Sequence, residues 1–363
     1  MKVIAPGSVI GIIGGGQLGR MAAVAASALG YKVHILTDTK NSPASFVAAK
    51  TFVGPYEDKK LLEKFAHSVD VVSYEFENIP IESVEYLAEL VEVRPNPKCL
   101  KVAQHRVVEK DFMKEIGVPT ANYRHVKNAQ SCSKAFKEIG PHCILKTAQL
   151  GYDGKGQHKI DENTVFAKLW REHELGDCIL EELVPFEKEI SVVLARDIHG
   201  GAMPYMPSQN IHNNGILDTT IAPADIPEGM DEKAWDIAFN IADSLELVGV
   251  LAVEFFVTKD GELLVNEIAP RPHNSGHWTM DACVTGQFEQ FVRAICGLPL
   301  GSSAIYCTAI MKNLIGDDVN LWEEYIKEPD AKLHLYGKDE AKEGRKMGHV
   351  TLLMSADDEL VEV

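Results

Sequence analysis

Over the first hundred residues, short unbroken apolar runs alternate with longer segments of helical spacing. Residues 8–13 form an apolar run ended by glycines, and residues 17–29 an alanine-rich helical segment closed by Gly30. Further apolar runs lie at 32–37 and 69–74, with helices predicted over 58–67 and 81–90. Short runs without polar alternation are what strands buried on both faces look like, and the helices between them supply the cover. The pattern predicts a doubly wound parallel α/β domain over residues 1–105. Beyond it the spacing changes. A helix over 104–116 meets Gly117, Val118 and Pro119, and strands at 143–146 and 178–183 flank a glycine-rich stretch and a helix at 163–173. Longer alternating strands at 189–196 and 216–223 and a helix at 231–245 follow, then a strand pair at 249–257 and 262–267. The turn of that pair holds Asp260 and Gly261, a strong hairpin signal. The middle region is therefore expected to be antiparallel and mixed, an α+β arrangement. Strands near 304–312, 332–336 and 348–354 come last, with no repeat, low-complexity tract or long linker between domains.

Composition narrows the class. The 363 residues allow two or three domains, and 45% hydrophobic with 25% charged residues is ordinary for a soluble globular chain. A formal net charge of −17 argues against a nucleic-acid binder, which needs a cationic face. A small basic pocket for phosphorylated metabolites stays open. The seven cysteines are scattered, with no C-x-x-C pair, so neither a disulfide framework nor a zinc site is expected. Pro6, Gly7 and Gly11 break the apolar N-terminal stretch, which does not read as a signal peptide. No run reaches the roughly 18 apolar residues of a membrane span. The expected location is the cytoplasm.

Three places carry candidate chemistry. Residues 14–19 (GGGQLG) fit G-x-G-x-x-G between a strand and a helix, with Asp38 ending the next strand. That pattern lets backbone amides and a helix N-terminus meet a phosphate, as in dinucleotide-binding folds; a plain tight turn with close helix–strand packing fits too. In the hairpin, partner numbers should sum to about 521, which sets Glu254 opposite Glu267. Two close carboxylates repel unless a cation lies between them, and hard oxygens beside a phosphate site suit Mg²⁺. A solvated surface pair is the plain alternative. Lastly, residues 151–157 (GYDGKGQ) follow Lys146 with three glycines, a loop able to close over a triphosphate or to be a simple surface hairpin.

Taken together, residues 14–20 (GGGQLGR), 74–80 (YEFENIP), 151–157 (GYDGKGQ), 181–191 (EELVPFEKEIS), 266–278 (NEIAPRPHNSGHW) and 344–349 (GRKMGH) resemble the 5-(carboxyamino)imidazole ribonucleotide synthases of the ATP-grasp superfamily. The resemblance spans nearly the whole chain. It implies a three-domain ATP-grasp fold: residues 1–105 binding the ribonucleotide, residues 106–297 forming the ATP-grasp domain with a lid subdomain at about 120–185, and a β-rich C-terminal domain at 298–363. It also implies a ligase of purine biosynthesis that uses Mg-ATP and bicarbonate to carboxylate the exocyclic amine of 5-aminoimidazole ribonucleotide through carboxyphosphate. A homodimer with small-molecule substrates, no nucleic acid and no membrane is implied too.

By that resemblance, ATP is held by Arg106, Lys146, the loop Gly151, Tyr152, Asp153, Gly154, Lys155, Gly156 and Gln157, and by Glu181, Glu182, Leu183 and Val184, whose backbone meets the adenine edge. Glu189 takes the ribose hydroxyls; His212, Asn266 and Glu267 complete the site. Glu254 and Glu267 hold magnesium. Gly16, Gln17 and Leu18 bind a ribonucleotide, not a dinucleotide, with Glu75, Asn78 and Tyr152 facing the same pocket. Arg271, His273, Asn274 and Ser275 line the region where bicarbonate and nucleotide meet, and Arg345 and Lys346 approach the ribonucleotide phosphate or the reacting centre. Asp153, Lys346 and Arg271 carry the catalytic roles. His105 stands where the family has Asp, so packing at that helix start is expected to differ. Sister ligases using formate or an amino acid, and a nicotinamide oxidoreductase built on the 14–19 turn, are the competing readings; the oxidoreductase leaves the loop and the glutamate pair unexplained.

Overall fold

The computed structural model describes residues 2–151 and 156–354. The chain opens with β1 (Val9–Ile13), α1 (Gln17–Ala28), β2 (Lys32–Thr37), β3 (Lys50–Val53), α2 (Lys59–Ala66), β4 (Val71–Tyr74) and α3 (Ile81–Leu90). The four strands form a parallel sheet in the order β3-β2-β1-β4. Successive side chains on a strand leave opposite faces, and here each face meets its own core. Ile12, Ile35 and Val71 pack on the α1 side, whereas Ile13, Leu36 and Val72 join Leu62 and Phe65 of α2 and Val84 and Leu87 of α3. That two-sided burial is why the runs read as solidly apolar. Two helices lead out, α4 (Pro97–Ala103), capped by Asn96, and α5 (Arg106–Glu115).

Next come β5 (Tyr123–Val126), α6 (Ala129–Ile139), β6 (Cys143–Thr147), β7 (Gln157–Ile160), α7 (Phe166–Glu172) and β8 (Cys178–Glu182). Their strands form a small antiparallel sheet, β5-β8-β6-β7, over a core of Val126, Leu145, Ile160 and Leu180. Cys132, Cys143 and Cys178 are buried in it as free thiols.

The remaining chain builds one large antiparallel sheet from β9 (Phe186–Arg196), β10 (Ala202–Pro204), β11 (Ser208–Asn213), β12 (Ile216–Ala222), α8 (Met230–Ser244), β13 (Gly249–Thr258), β14 (Leu263–Ala269), α9 (Thr279–Ala282), α10 (Gln287–Cys296), β15 (Thr308–Ile315), β16 (Ala331–Leu335) and β17 (Lys346–Met354). The nine strands run β14-β13-β9-β11-β12-β15-β17-β16, with β10 paired to β9. Alternation again divides the faces: Val192, Leu194, Leu251 and Val253 pack with α8, and Val193, Ala195, Val250 and Ala252 share the α10 core. The C-terminal strands continue the sheet through β12 and β15, from Thr219↔Lys312 to Ala222↔Ala309. Strand β14 is left at one edge, alongside α5.

Candidate active site

After β1 the chain must turn at once into α1, and Gly14 does so at φ 109°. A Cβ on Gly14 or Gly16 would collide with Glu75, and one on Gly15 with Ser42. The glycines therefore make room for Glu75, which follows β4. Its carboxylate accepts from the Gly16 amide and from the Gly19 amide at 2.7 Å. Helix N-termini carry amides without intrahelical partners, and Glu75 takes two of them. Gln17 and Leu18, between the two, line the adjoining cavity. Burial pushes the Glu75 carboxyl above the usual carboxylate range, against the pull of the Gly19 and Gly16 amides and of Arg271.

That cavity, about 700 Å³, lies between the 14–19 turn, β14 and the start of β17. On its far wall Arg271 Nε is 2.7 Å from Glu77 Oε1, and Gln104 Nε2 donates to the Glu77 carbonyl at 2.5 Å. Asn78 is exposed on the lining, and His273 and Asn274 line it as well. Asn274 and Asn313 exchange side-chain amide hydrogen bonds of 2.9 and 2.8 Å. Arg345, Lys346, Lys338 and Lys342 form a basic wall within an acidic chain. Arg345 Nη1 donates to the Glu340 carbonyl at 2.9 Å.

The hairpin supplies the acidic side. Glu254 is paired with Glu267, as the turn position implies. Beyond that pair the register departs from the expected uniform sum, because a bulge shifts Phe255 onto Val265. Asn266 is the extra residue. On a regular strand Asn266 and Glu267 would leave opposite faces; the bulge lets both reach one site. Asn266 Oδ1 lies 3.5 Å from Lys146 Nζ, and Glu267 accepts from Arg106 Nη1 at 2.9 Å. Burial would raise Glu267, but Arg106, Lys146 and His273 bring it down to about 2. Glu254 is pushed up to about 8, first by burial and then by Glu267, a rise that His212 and Lys346 offset only in part. His273 Nε2 lies 3.6 Å from it and is held neutral, its pKa lowered to about 3 by burial and by Arg271. A carboxyl that keeps a proton in place of a cation, beside an ionised carboxylate and an amide oxygen, is a donor set of hard oxygens that fits Mg²⁺.

Lys146, 5% exposed, contacts Glu181 at 2.5 Å. Glu181 is buried, yet Lys146 and Lys110 overcome the burial and hold it at about 2. The Glu182 amide donates to the Asn122 carbonyl and the Leu183 amide to the His142 carbonyl, so neither is free for a ligand; Val184 follows, buried, and its carbonyl accepts from Phe186. Glu189 and His212 pair at 2.8 Å, and Glu189 raises the His212 pKa against the effect of burial. Gly151 lines the cavity; Gly156 and Gln157 lie at the start of β7. Tyr152, Asp153, Gly154 and Lys155 lie outside the described residues. Ser275 is away from the cavity lining: it is fully buried, with its hydroxyl 2.8 Å from Ser191 Oγ and 2.9 Å from His273 Nδ1. His105 still caps α5, Nδ1 accepting from the Val107 amide at 3.2 Å while Nε2 meets Asp177 at 3.0 Å.

Residues 8–104 match the ribonucleotide synthetase pre-ATP-grasp domain, residues 111–288 the ATP-grasp domain, and residues 309–363 the phosphoribosylaminoimidazole carboxylase C-terminal domain. The N5-carboxyaminoimidazole ribonucleotide synthase of Bacillus subtilis is 45% identical, over 99% of this chain and 95% of its own length. This chain belongs to the N5-carboxyaminoimidazole ribonucleotide synthase family. It is also 46% identical, over 96% of its length, to a bifunctional purine synthesis protein of Dictyostelium discoideum, of which it spans 37%. A solved N5-carboxyaminoimidazole synthase of Aspergillus clavatus, in complex with ADP and 5-aminoimidazole ribonucleotide, superposes with TM-score 0.90 at 28% identity, covering 96% of this chain and 94% of that one. The fold is the ATP-grasp fold of that family, with its parallel N-terminal sheet.

Several residues of this synthase-family site carry no sequence signal of their own. Glu77 sits inside the YEFENIP segment, yet only the fold shows that it holds Arg271. Glu109 and Lys110 look like an ordinary charged helix face but are each 2% exposed. Asp281, His334 and His349 bring ligand atoms within 4.8 Å of one another. The His334 and His349 rings, however, stack at 4.5 Å with a 16° interplanar angle, and a metal binds an imidazole in the ring plane, so no common point serves both. Asp281 bonds His334 at 2.9 Å and Tyr336 bonds His349 at 2.8 Å, a hydrogen-bonded stack.

Proposed function

We propose that this chain carboxylates the exocyclic amine of 5-aminoimidazole ribonucleotide, using ATP and bicarbonate, as the purine-biosynthetic ligase that its family membership indicates. The observation that carries the proposal is one cavity whose lining joins the 14–19 turn and Glu75 to Arg106 and Glu267 at the nucleotide end. In this reading residues 1–105 hold the ribonucleotide, residues 106–297 hold ATP with a lid at about 120–185, and residues 298–363 close the site from the β17 side. Gln17 and Leu18 at the α1 N-terminus meet the ribonucleotide together with Asn78. Arg345 and Lys346 neutralise its phosphate. Arg106, Lys146, the 181–184 segment through groups other than the Glu182 and Leu183 amides, Glu189, His212 and Asn266 hold ATP.

Glu254 and Glu267 would hold Mg²⁺, which draws charge from the transferring phosphoryl group when bound. A bicarbonate oxygen attacks the γ-phosphorus and ADP leaves, giving carboxyphosphate. Arg271, fixed by Glu77, and neutral His273 orient the anion beside the ribonucleotide. The amine nitrogen then bonds to the carboxyl carbon as phosphate departs, and the amine loses a proton. Asp153 is assigned to accept that proton, with Lys346 fixing the geometry. The reading extends to a cytoplasmic homodimer, on the strength of the family resemblance; among the described residues no helix is long and apolar enough to cross a membrane.

The test is ADP release from Mg-ATP and bicarbonate with and without 5-aminoimidazole ribonucleotide. ADP formation that needs the ribonucleotide, with labelled bicarbonate entering an acid-labile product, supports the proposal. No response to the ribonucleotide refutes it, and formate and amino acids would then be screened.

A further inference from the structure

Strand β14 is the edge of the large sheet, so its outer backbone groups have no strand partner. The segment from α5 to Pro119 meets them instead. The Val265 amide donates to the Pro119 carbonyl at 2.9 Å. Lys110 Nζ donates to the Val265 carbonyl at 3.0 Å and to the Asn266 carbonyl at 2.7 Å. The Ile268 amide donates to Glu109 Oε1 at 2.6 Å.

The parity of these bonds is informative. On a regular strand, the amide and carbonyl of one residue face one edge and those of the next residue face the other. With Val265 facing outward, Glu267 would face outward next. Here Asn266 and Ile268 supply the outward groups, and Glu267 pairs inward with Glu254. Two consecutive outward carbonyls mark the bulge, and a single ammonium spans both. The third direction of that ammonium meets Glu181 at 3.9 Å, and Glu181 in turn holds Lys146.

We propose that Lys110, with Glu109, is a positioning residue: it locks the β14 bulge in the form that turns Asn266 and Glu267 toward the same site, and so sets the affinity of that site for a divalent cation bound with nucleotide. The inference rests on the proposed nucleotide site, since it assigns to Lys110 the shape of the Glu254 and Glu267 pair rather than contact with ligand. An ammonium donates several ways from one point, which fits two adjacent carbonyls, and the Glu181 carboxylate 3.9 Å away balances its charge. Without it, two buried carbonyls lose their donor, and the strand gains by reverting to regular pairing, which turns Asn266 or Glu267 away.

The experiment titrates Mn²⁺ into the full-length protein with ADP present and reads bound Mn²⁺ by electron paramagnetic resonance; ADP affinity without metal is measured in parallel. Lys110→Met is expected to weaken Mn²⁺ binding roughly 10- to 100-fold, the range typical of groups that orient a metal ligand, while metal-free ADP binding stays near wild type. An unchanged Mn²⁺ midpoint in Lys110→Met overturns the inference. If that variant does not melt cooperatively, Glu109→Leu and Glu109→Gln decide. Gln keeps an acceptor for the Ile268 amide and should retain the wild-type midpoint, whereas Leu should weaken it; two wild-type midpoints overturn the inference. A wild-type protein that binds no Mn²⁺ with ADP overturns the nucleotide-site reading itself, an outcome distinct from the others.

Discussion

Two regions in and beside one cavity bury carboxylates and treat them differently. At the α1 end, Glu75 meets backbone amides at the start of α1; at the hairpin end, Glu267 meets Arg106, while Glu254 faces Glu267 with only a partial offset from His212 and Lys346. Partial charges of a helix N-terminus only moderate the cost of burial, so Glu75 stays raised. Full charges reverse that cost and hold Glu267 at about 2. Glu254 is left at about 8, with its oxygens beside an ionised neighbour. Residue type does not set what a buried carboxylate does; the partner does. Glu75 is a completed structural cap, and Glu254 is half of the pair proposed to hold a cation.

The largest break in this comparison comes from the pair. Glu254→Gln and Glu267→Gln should each lower kcat/KM for Mg-ATP by more than the roughly 10–100-fold typical of residues that only orient a ligand. Glu267→Gln should also destabilise the protein, because Arg106 loses its carboxylate. A Glu254→Gln enzyme with wild-type metal dependence removes Glu254 from the metal site.

Glu75→Ala tests the other end. It strips an acceptor from two amides, a loss of about 1–3 kcal/mol measured by denaturant unfolding. The KM for the ribonucleotide should rise while that for ATP holds, and Glu75→Gln, which keeps an acceptor, should recover most of both. A rise in the ATP KM alone would show that the two ends are not separable.

How much of this was legible in the sequence follows the range of the interactions. The parallel domain was readable because two-sided burial writes solid apolar runs, and the 254–267 pairing because a short turn fixes local register. Strands β5 and β11 were not, since HisVal-type and SerGlnAsn-type stretches such as residues 208–213 carry little apolar alternation. The bulge at Asn266 was invisible because its cause, Lys110, lies 156 positions away. The glycine turn was recognisable as a tight strand-to-helix turn, and it lines the cavity, but its close fit around Glu75 depends on β4 lying beside β1.

A smaller effect comes from pH. Glu109 and Glu254 stand near 8 in the folded chain against 4.5 for the ordinary side chain, so between those values the folded state holds protons that the unfolded state has lost. Their contribution is full below 4.5 and is lost as pH rises through 8. The buried neutral His273, His277 and His349 have the opposite sign, but only below their ordinary 6.5. From pH 6.5 to 8 the carboxyls act together with His212, whose raised pKa gives the same sign, and each group costs at most about 1.4 kcal/mol per pH unit. The melting temperature of metal-free protein should therefore fall across that window, and Glu254→Gln should flatten the fall. A melting temperature that rises with pH contradicts the protonated Glu254.

Ser275 sharpens the comparison at its lower limit. It follows His273 and Asn274 in the NSG segment, and the resemblance sets all three against substrate. The 3-10 turn over Asn274–Gly276 instead rotates Ser275 inward, where Ser191 and His273 meet its hydroxyl and Ser208 donates to its carbonyl. Ser275→Ala removes a buried hydroxyl whose neighbours can still bond each other, since Ser191 and Ser208 are 3.1 Å apart. The expected cost is about 1 kcal/mol of stability. The KM values for ATP and ribonucleotide should not move, because the cavity wall is made by the two residues before it. A raised ribonucleotide KM in a stable Ser275→Ala protein would mean that the hydroxyl acts through His273 Nδ1, fixing which ring nitrogen faces Glu254, and would place the boundary of the site one layer deeper than the cavity lining.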